Sequence, residues 1–303
     1  MAIQKEIWLR TIVENLFADD TFAAKAVNDD QYVNEGKKVH IPNAGAPSKV
    51  QKNRSTVPAT VSKRTDTDVE YALDEFTTDP VHIPYAETIE LSYDKRNSVI
   101  SQDRAQLFEV ARQNLLYRWA PDSNHMVPTT GKSVAAHTAL ATGNRKGLSK
   151  ADVLTLMTQF DKDNIPQRGR YLLLDAQMYA QLLSDMTETD AIGFFQAADV
   201  KRGIVGGLYG FEVMKRSQVL RYNSSNALLE FDKAGAAADN AAGLAWYEAS
   251  VSRALGEVKM FDSMDNPLYY GDIYSFLVRC GGAIRRNDKK GVYALVQSAV
   301  SAG

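Results

Sequence analysis

The chain has 303 residues, of which 35 are basic and 37 acidic, giving a formal net charge of −2, and 45% are hydrophobic. That composition excludes disorder for most of the chain and removes any global electrostatic drive towards nucleic acid. The length accommodates about two domains with a sizeable buried core. The single cysteine, Cys280, has no intramolecular partner, and its apolar run from Phe276 predicts a buried, inert thiol in a reducing compartment. Met1 to Trp8 carries acid and base early and lacks a signal-type apolar core. No stretch reaches the roughly 18 apolar residues a membrane span requires, so no membrane partner is expected.

In chain order, Ile7, Trp8, Ile12, Val13, Leu16 and Phe17 fall on one face and predict a short helix that lies on a neighbour. From 36 to 90 the character changes. Pro42, Pro47, Pro58, Pro80 and Pro84 exclude long helix, and alternating apolar residues favour extended strands. Asp66 to Asp74 alternates with period two, acids on one face and Val69, Tyr71 and Leu73 on the other. Basic residues Lys49, Lys52, Arg54, Lys63 and Arg64 precede this acidic half, so the ribbon suits pairing with itself or with another copy. Ser98 to Trp119 is the longest helical pattern, with Ile100, Leu107, Phe108, Ala111, Leu115 and Trp119 on one stripe and Pro121 as its stop. Thr129 to Gly147 reads as loop with one short strand. Ser149 and Asp152 have the spacing of a capping box for a helix to about Lys162. Arg170 to Leu174 reads as a buried strand, and Asp175 as the N-cap of a helix from Gln177 to Leu183. Glycines at 203, 206, 207 and 210 punctuate short strands such as Phe211 to Met214, and Glu257 to Gln297 is again β in pattern.

Motifs that carry chemistry are sparse. Thr129 to Ser133 contains the end of a phosphate-binding loop, but that motif needs glycine where Met126 stands. The glycines from Gly203 to Gly210 do not have dinucleotide-loop spacing and read as turn residues. His40 and His82 sit in two copies of Val-His-Ile-Pro, where exposed strand histidines are the first reading and a shared metal site the second. Asp262, Asp265 and Asp272 lack calcium-loop spacing, and no serine lies in a nucleophile elbow. Neither an active site nor a cofactor is expected.

The order of elements, a short arm, a long extension, a long helix, a mixed domain and a return to β, resembles the major capsid protein of tailed bacteriophages, the Hong Kong 97 fold. Thr88 to Lys95 is similar to that family's lead-in to its spine helix, and Arg170 to Leu183 to the opening of its axial domain. Gly207 to Met214 resembles its Gly-Phe-x-Val strand pair, and Asp272 to Arg286 with Gly291 to Gln297 resembles its closing peripheral sheet. About 35 residues precede the extension, so the resemblance covers nearly the whole chain without a large amino-terminal scaffolding region, and no covalent Lys-to-Asn cross-link is assigned.

The resemblance implies an α+β fold with an arm (1–35), an extended E-loop ribbon (36–90), a peripheral domain with the spine helix (91–168), an axial domain (169–255) and a second peripheral half (256–303). It implies a non-enzymatic virion protein, assembled in the host bacterial cytoplasm, that forms pentamers and hexamers of itself around double-stranded DNA. Portal, scaffolding and decoration proteins are the further partners implied. Trp8, Val69, Tyr71 and Leu73 are expected at contacts between subunits. Arg285, Arg286, Lys289 and Lys290 form the densest basic cluster, which either faces the genome without sequence preference or is a solvated turn. An encapsulin-type compartment shell and a metabolic enzyme with a β-rich insertion are the alternatives.

Overall fold

Two sheets, each covered by helix, organise the chain. The structure is a computed structural model and describes residues 21–32, 38–55, 57–59, 61, 63–85, 94–230 and 232–299. The expected arm helix, with Trp8, lies outside the described residues. In chain order the elements are β1 (Val27–Asn28), β2 (Lys38–Asn43), β3 (Thr67–Ala72), β4 (Asp74–Thr77), β5 (Val81–Pro84), α1 (Asp94–Trp119), β6 (Met126–Pro128), β7 (Ser133–Ala135), β8 (Asn144–Lys146), α2 (Lys150–Lys162) and β9 (Arg170–Asp175). They continue with α3 (Ala176–Asp185), α4 (Glu188–Gln196), β10 (Ile204–Leu208), β11 (Phe211–Arg216), β12 (Leu220–Tyr222), β13 (Asn240–Tyr247), β14 (Val251–Asn266), β15 (Gly271–Ile284) and β16 (Val292–Val296).

The first sheet is a long hairpin with short strands added at its flanks. β14 and β15, 16 and 14 residues long, pair antiparallel, and the order is β1-β14-β15-β4 with β5 also on β15. At about 3.3 Å per residue β14 runs roughly 50 Å. Period-two alternation turns Tyr274, Phe276, Val278 and Cys280 inward, and α1 covers them with Ile100, Leu107, Phe108 and Ala111. The helix starts four residues before the expected Ser98, at Asp94. Leu107 is 5% exposed in this layer. Its replacement by Ala is expected to cost about 2–5 kcal/mol in urea unfolding, and a change under about 0.5 kcal/mol would contradict the packing.

The second sheet has the order β10-β11-β9-β13-β16-β6, with β12 on β13. Its central strand β9 is buried at all six positions, which is why Arg170 to Leu174 shows no polar alternation. α2, α3 and α4 pack Val153, Leu156, Phe160, Met178, Leu182 and Phe194 on one face. The other face meets Leu115, Leu116 and Trp119 from the end of α1, with Phe22 and Ala23 of the arm. The local signals are present as read: Ser149 and Asp152 close a capping box on α2, and the Asp175 carboxylate accepts from the Met178 amide at 2.7 Å. Tyr209 and Gly210, with φ of 49° and 82°, make the two-residue turn between β10 and β11.

Two expected boundaries do not coincide with these sheets. β6 and α2 belong with β9 although they precede 169, and β16 closes the same sheet although it follows 255. β4 and β5 join β15, so the paired part of the 36–90 extension is confined to β2 and β3. The reason is common to both: hydrogen bonding across a sheet joins strands distant in sequence, and local patterning does not show a strand's partner.

Candidate assembly surfaces

The stem of the ribbon is β2 paired with β3, Val39 opposite Tyr71 and Ile41 opposite Val69. Val39, Ile41, Tyr71 and Leu73 bury themselves against Ala254 of β14, with Val69 partly buried beside them. Tyr71 and Leu73 are 8% and 9% exposed within this single chain. Within one chain these side chains have an intramolecular cover, and their expected contact with a neighbouring subunit stands as a proposal. The alternation identifies a buried face but not what covers it, and here the cover is the chain's own hairpin. The Tyr71 hydroxyl donates to Asp29 Oδ2 at 3.0 Å, and Arg285 Nη1 donates to both oxygens of that carboxylate at 3.0 and 3.2 Å. Burial pushes the Tyr71 phenol well above its ordinary value. On the outer face of the stem, Lys38 pairs with Glu70 at 3.0 Å and His40 with Asp68 at 3.1 Å.

Beyond Asn43 and Thr67 the chain leaves the stem as an excursion, 44–66. Val50, Val57 and Val61 are 97%, 82% and 96% exposed there. Lys49, Lys52, Arg54 and Lys63 are exposed and make no ion pair among the described residues, while Arg64 is held by Asp66 at 2.7 Å. The turn between β14 and β15 is the second projection. Leu268 and Tyr270 are 82% and 81% exposed, with Phe261, Met264, Tyr269 and Tyr85 also open to solvent. The β pattern expected from Glu257 to Gln297 includes Tyr269 and Tyr270, which instead lie in the turn. The Asn266-Pro267 pair before them was the available sign of a turn that throws three apolar side chains outward.

The basic cluster proves to be a paired turn. Arg285 is bound to Asp29, Arg286 to Asp288 at 2.7 Å, Lys289 to Asp122 at 3.1 Å and Lys290 to Asp163 at 3.8 Å. Each cation has a carboxylate, which supports the solvated-turn reading of these four residues, and the genome-facing reading stands beside it as a proposal. Acids from distant segments, Asp29, Asp122 and Asp163, supply three of the four partners, which is why the cluster is unbalanced in local sequence. Asp122 also receives the His125 ring at 2.9 Å, and that contact, reinforced by Lys289, holds its carboxyl at about 2 against the opposing effect of burial. A carboxyl lowered on folding contributes stability above its unfolded value, near 4, and loses it as the pH falls towards 2. Thermal midpoints measured from pH 5 to pH 2 are expected to fall more steeply for the natural protein than for Asp122→Asn. Parallel curves would remove Asp122 from the account.

The other candidate motifs have structural roles. The Thr130 amide and hydroxyl are both taken by Asp152, and a Cβ on Gly131 would meet the Gly147 carbonyl at 2.6 Å, so this loop docks on the start of α2. A Cβ on Gly206 would enter the Phe194 ring, which explains that glycine by close packing. His40 and His82 stand in different sheets, the latter against Tyr269 with ring centres 6.0 Å apart. No group of three metal-binding side chains occurs among the described residues. Cys280 of β15 is buried against α1. A groove of about 580 Å³ lies between β6 and the loop after β12, where all the N–H donors of Arg145 are spent on Asn240 and backbone carbonyls.

No protein-family model matches the sequence, and no curated protein matches it. Solved structures do. The capsid of Ralstonia phage GP4 superposes with a TM-score of 0.61 at 13% identity, over 91% of this chain and 86% of that one. The capsid of cyanophage P-SCSP1u gives 0.59 at 17% identity over 89% and 86%, and a chain of Mycobacterium phage Che8 gives 0.58 at 16% over 90% of each. This chain has the phage capsid fold. The Hong Kong 97-type architecture expected from the order of elements agrees with these neighbours. At such identities the likeness resides in the path of the backbone. The capsid fold accounts for the long hairpin, the spine helix α1 and the ribbon together.

Proposed function

We propose that this protein is the major capsid protein of a tailed bacteriophage, a non-catalytic subunit that assembles through pentamers and hexamers into an icosahedral head around double-stranded DNA. The observation that carries this reading is the match to the capsids of Ralstonia phage GP4 and cyanophage P-SCSP1u over about nine-tenths of each chain. The two projections support it, because each exposes apolar side chains that the subunit does not cover itself. The neighbours named above come from phages, two of them as capsids, which favours a phage head over a cellular compartment shell. In this reading the first sheet with α1 is the peripheral unit and the second sheet with α2 to α4 the axial unit. Portal, scaffolding and decoration proteins are its further partners, the virion is its destination, and the host cytoplasm is where it assembles. Genome contact is non-specific. Electron microscopy of the protein expressed alone and concentrated tests the proposal: closed shells or flat capsomer rings are expected, and a strictly monomeric protein at every concentration would reject it.

A further inference from the structure

The groove between β6 and the loop after β12 has an unbalanced charge in its wall. Its volume, about 580 Å³, falls within the roughly 300–1,000 Å³ of small-ligand sites. Arg145 is the one charged side chain among the described residues that line it, and it is 6% exposed. Its N–H groups go to the Asn240 side-chain oxygen and to the backbone carbonyls of Thr142, Asn144, Ala237 and Asp239. None of these acceptors carries a formal charge. Asp239 gives Arg145 only its carbonyl, because its carboxylate accepts from the Ala236 amide at 2.7 Å. Arg145 therefore makes no ion pair among the described residues, and a guanidinium withdrawn from water without a counter-ion favours the entry of an anion beside it.

A second observation lies in the same wall. Gln297, just past the end of β16, is 2% exposed, and its Nε2 is buried without a hydrogen-bond partner among the described residues. Such a donor is costly to leave unmade, and the soft last torsion of a glutamine lets it turn towards an incoming oxygen. Ser224 and Asn226 are exposed at the mouth, while Met126, Pro128 and Val296 give the groove an apolar side. We infer that this groove binds a carboxylate carried on a short apolar body. The single cation suits a monoanion and acts through its field, since its own N–H groups are already spent. Gln297, with Ser224 and Asn226, supplies the hydrogen bonds, and the apolar body lies along Met126, Pro128 and Val296. A free aliphatic acid and the carboxyl end of a peptide share this chemistry. The inference is independent of the shell reading.

The test uses magic-angle-spinning spectra of the full chain labelled with nitrogen-15 at its glutamine side chains, which are readable for free subunits and assemblies alike. Butyrate and N-acetyl-alanyl-alanine are the probes, with butyramide and the dipeptide amide as neutral controls at matched ionic strength. A carboxylate is expected to shift the Gln297 side-chain resonance, assigned by its loss in Gln297→Leu, and the shift should saturate. Both amides should leave it in place, and the tighter-binding acid identifies the source. By calorimetry, Gln297→Leu is expected to weaken carboxylate binding at least about tenfold. The thermal midpoint of that variant without ligand should be unchanged or higher, because an unsatisfied buried donor has been removed. The charge is varied on the probe because replacing Arg145 would strip the wall of its own hydrogen bonds. Three results overturn the inference: no saturable shift from either acid, amides that bind as well as acids, or full carboxylate binding by Gln297→Leu.

Discussion

Trp119→Ala is expected to lower unfolding stability by about 3–5 kcal/mol from the cavity alone, which is a large part of the whole margin of a folded domain. Trp119 is fully buried at the last turn of α1, in the core of the second sheet. Its ring lies 6.0 Å from Phe22 of the arm and 5.7 Å from Trp246 of β13, and its Nε1 donates to the Ser252 carbonyl of β14 at 2.8 Å. Removing it opens a void between sheets and leaves a buried carbonyl without that donor, adding about 1 kcal/mol. Trp119→Phe separates the two effects, since it refills much of the void but restores no donor. Urea unfolding should rank the natural protein above Trp119→Phe and that variant well above Trp119→Ala. A loss under about 1 kcal/mol for the alanine variant would show that the sheets do not depend on this contact.

Asp29→Ala is expected to cost about 3 kcal/mol, and the loss should be concentrated in the ribbon. Asp29 is 3% exposed, its carboxylate serves both Arg285 and Tyr71, and its backbone amide donates to the Arg253 carbonyl at 2.8 Å. Without it, a guanidinium and a phenol hydroxyl lose their acceptor in a largely dry site. The figure sits at the low end for a broken buried pair, because the Arg285 side chain is 25% exposed and water screens part of its charge. Hydrogen exchange should accelerate at the β2 and β3 amides and stay unchanged in β9 and β13. In a double-mutant cycle with Tyr71→Phe the two changes should couple by about 1 kcal/mol. Additive changes, or exchange that rises equally in β9, would show that Asp29 is not the fastening point of the ribbon.

Much of the fold is legible in its residues. The stripe of α1, the caps at Ser149 and Asp175, and the buried run of β9 depend on neighbours within a few positions, and the structure has them. The order of those elements was enough to suggest the capsid fold, and the period-two pattern correctly put Tyr71 and Leu73 on a buried face. What it did not contain was the other half of each contact. Asp29 and Arg285 are separated by 256 positions, and Lys289 and Asp122 by 167, so no window along the chain shows that the basic cluster is neutralised. β16 enters the second sheet, and β4 and β5 the first, because hydrogen-bond donors and acceptors on a strand edge accept any strand that the global packing delivers. Propensity, periodicity and capping are local energies and are written in local sequence. Sheet partners, ion pairs and the side of a strand that meets solvent follow from how the whole chain closes, and those were decided only in the tertiary structure.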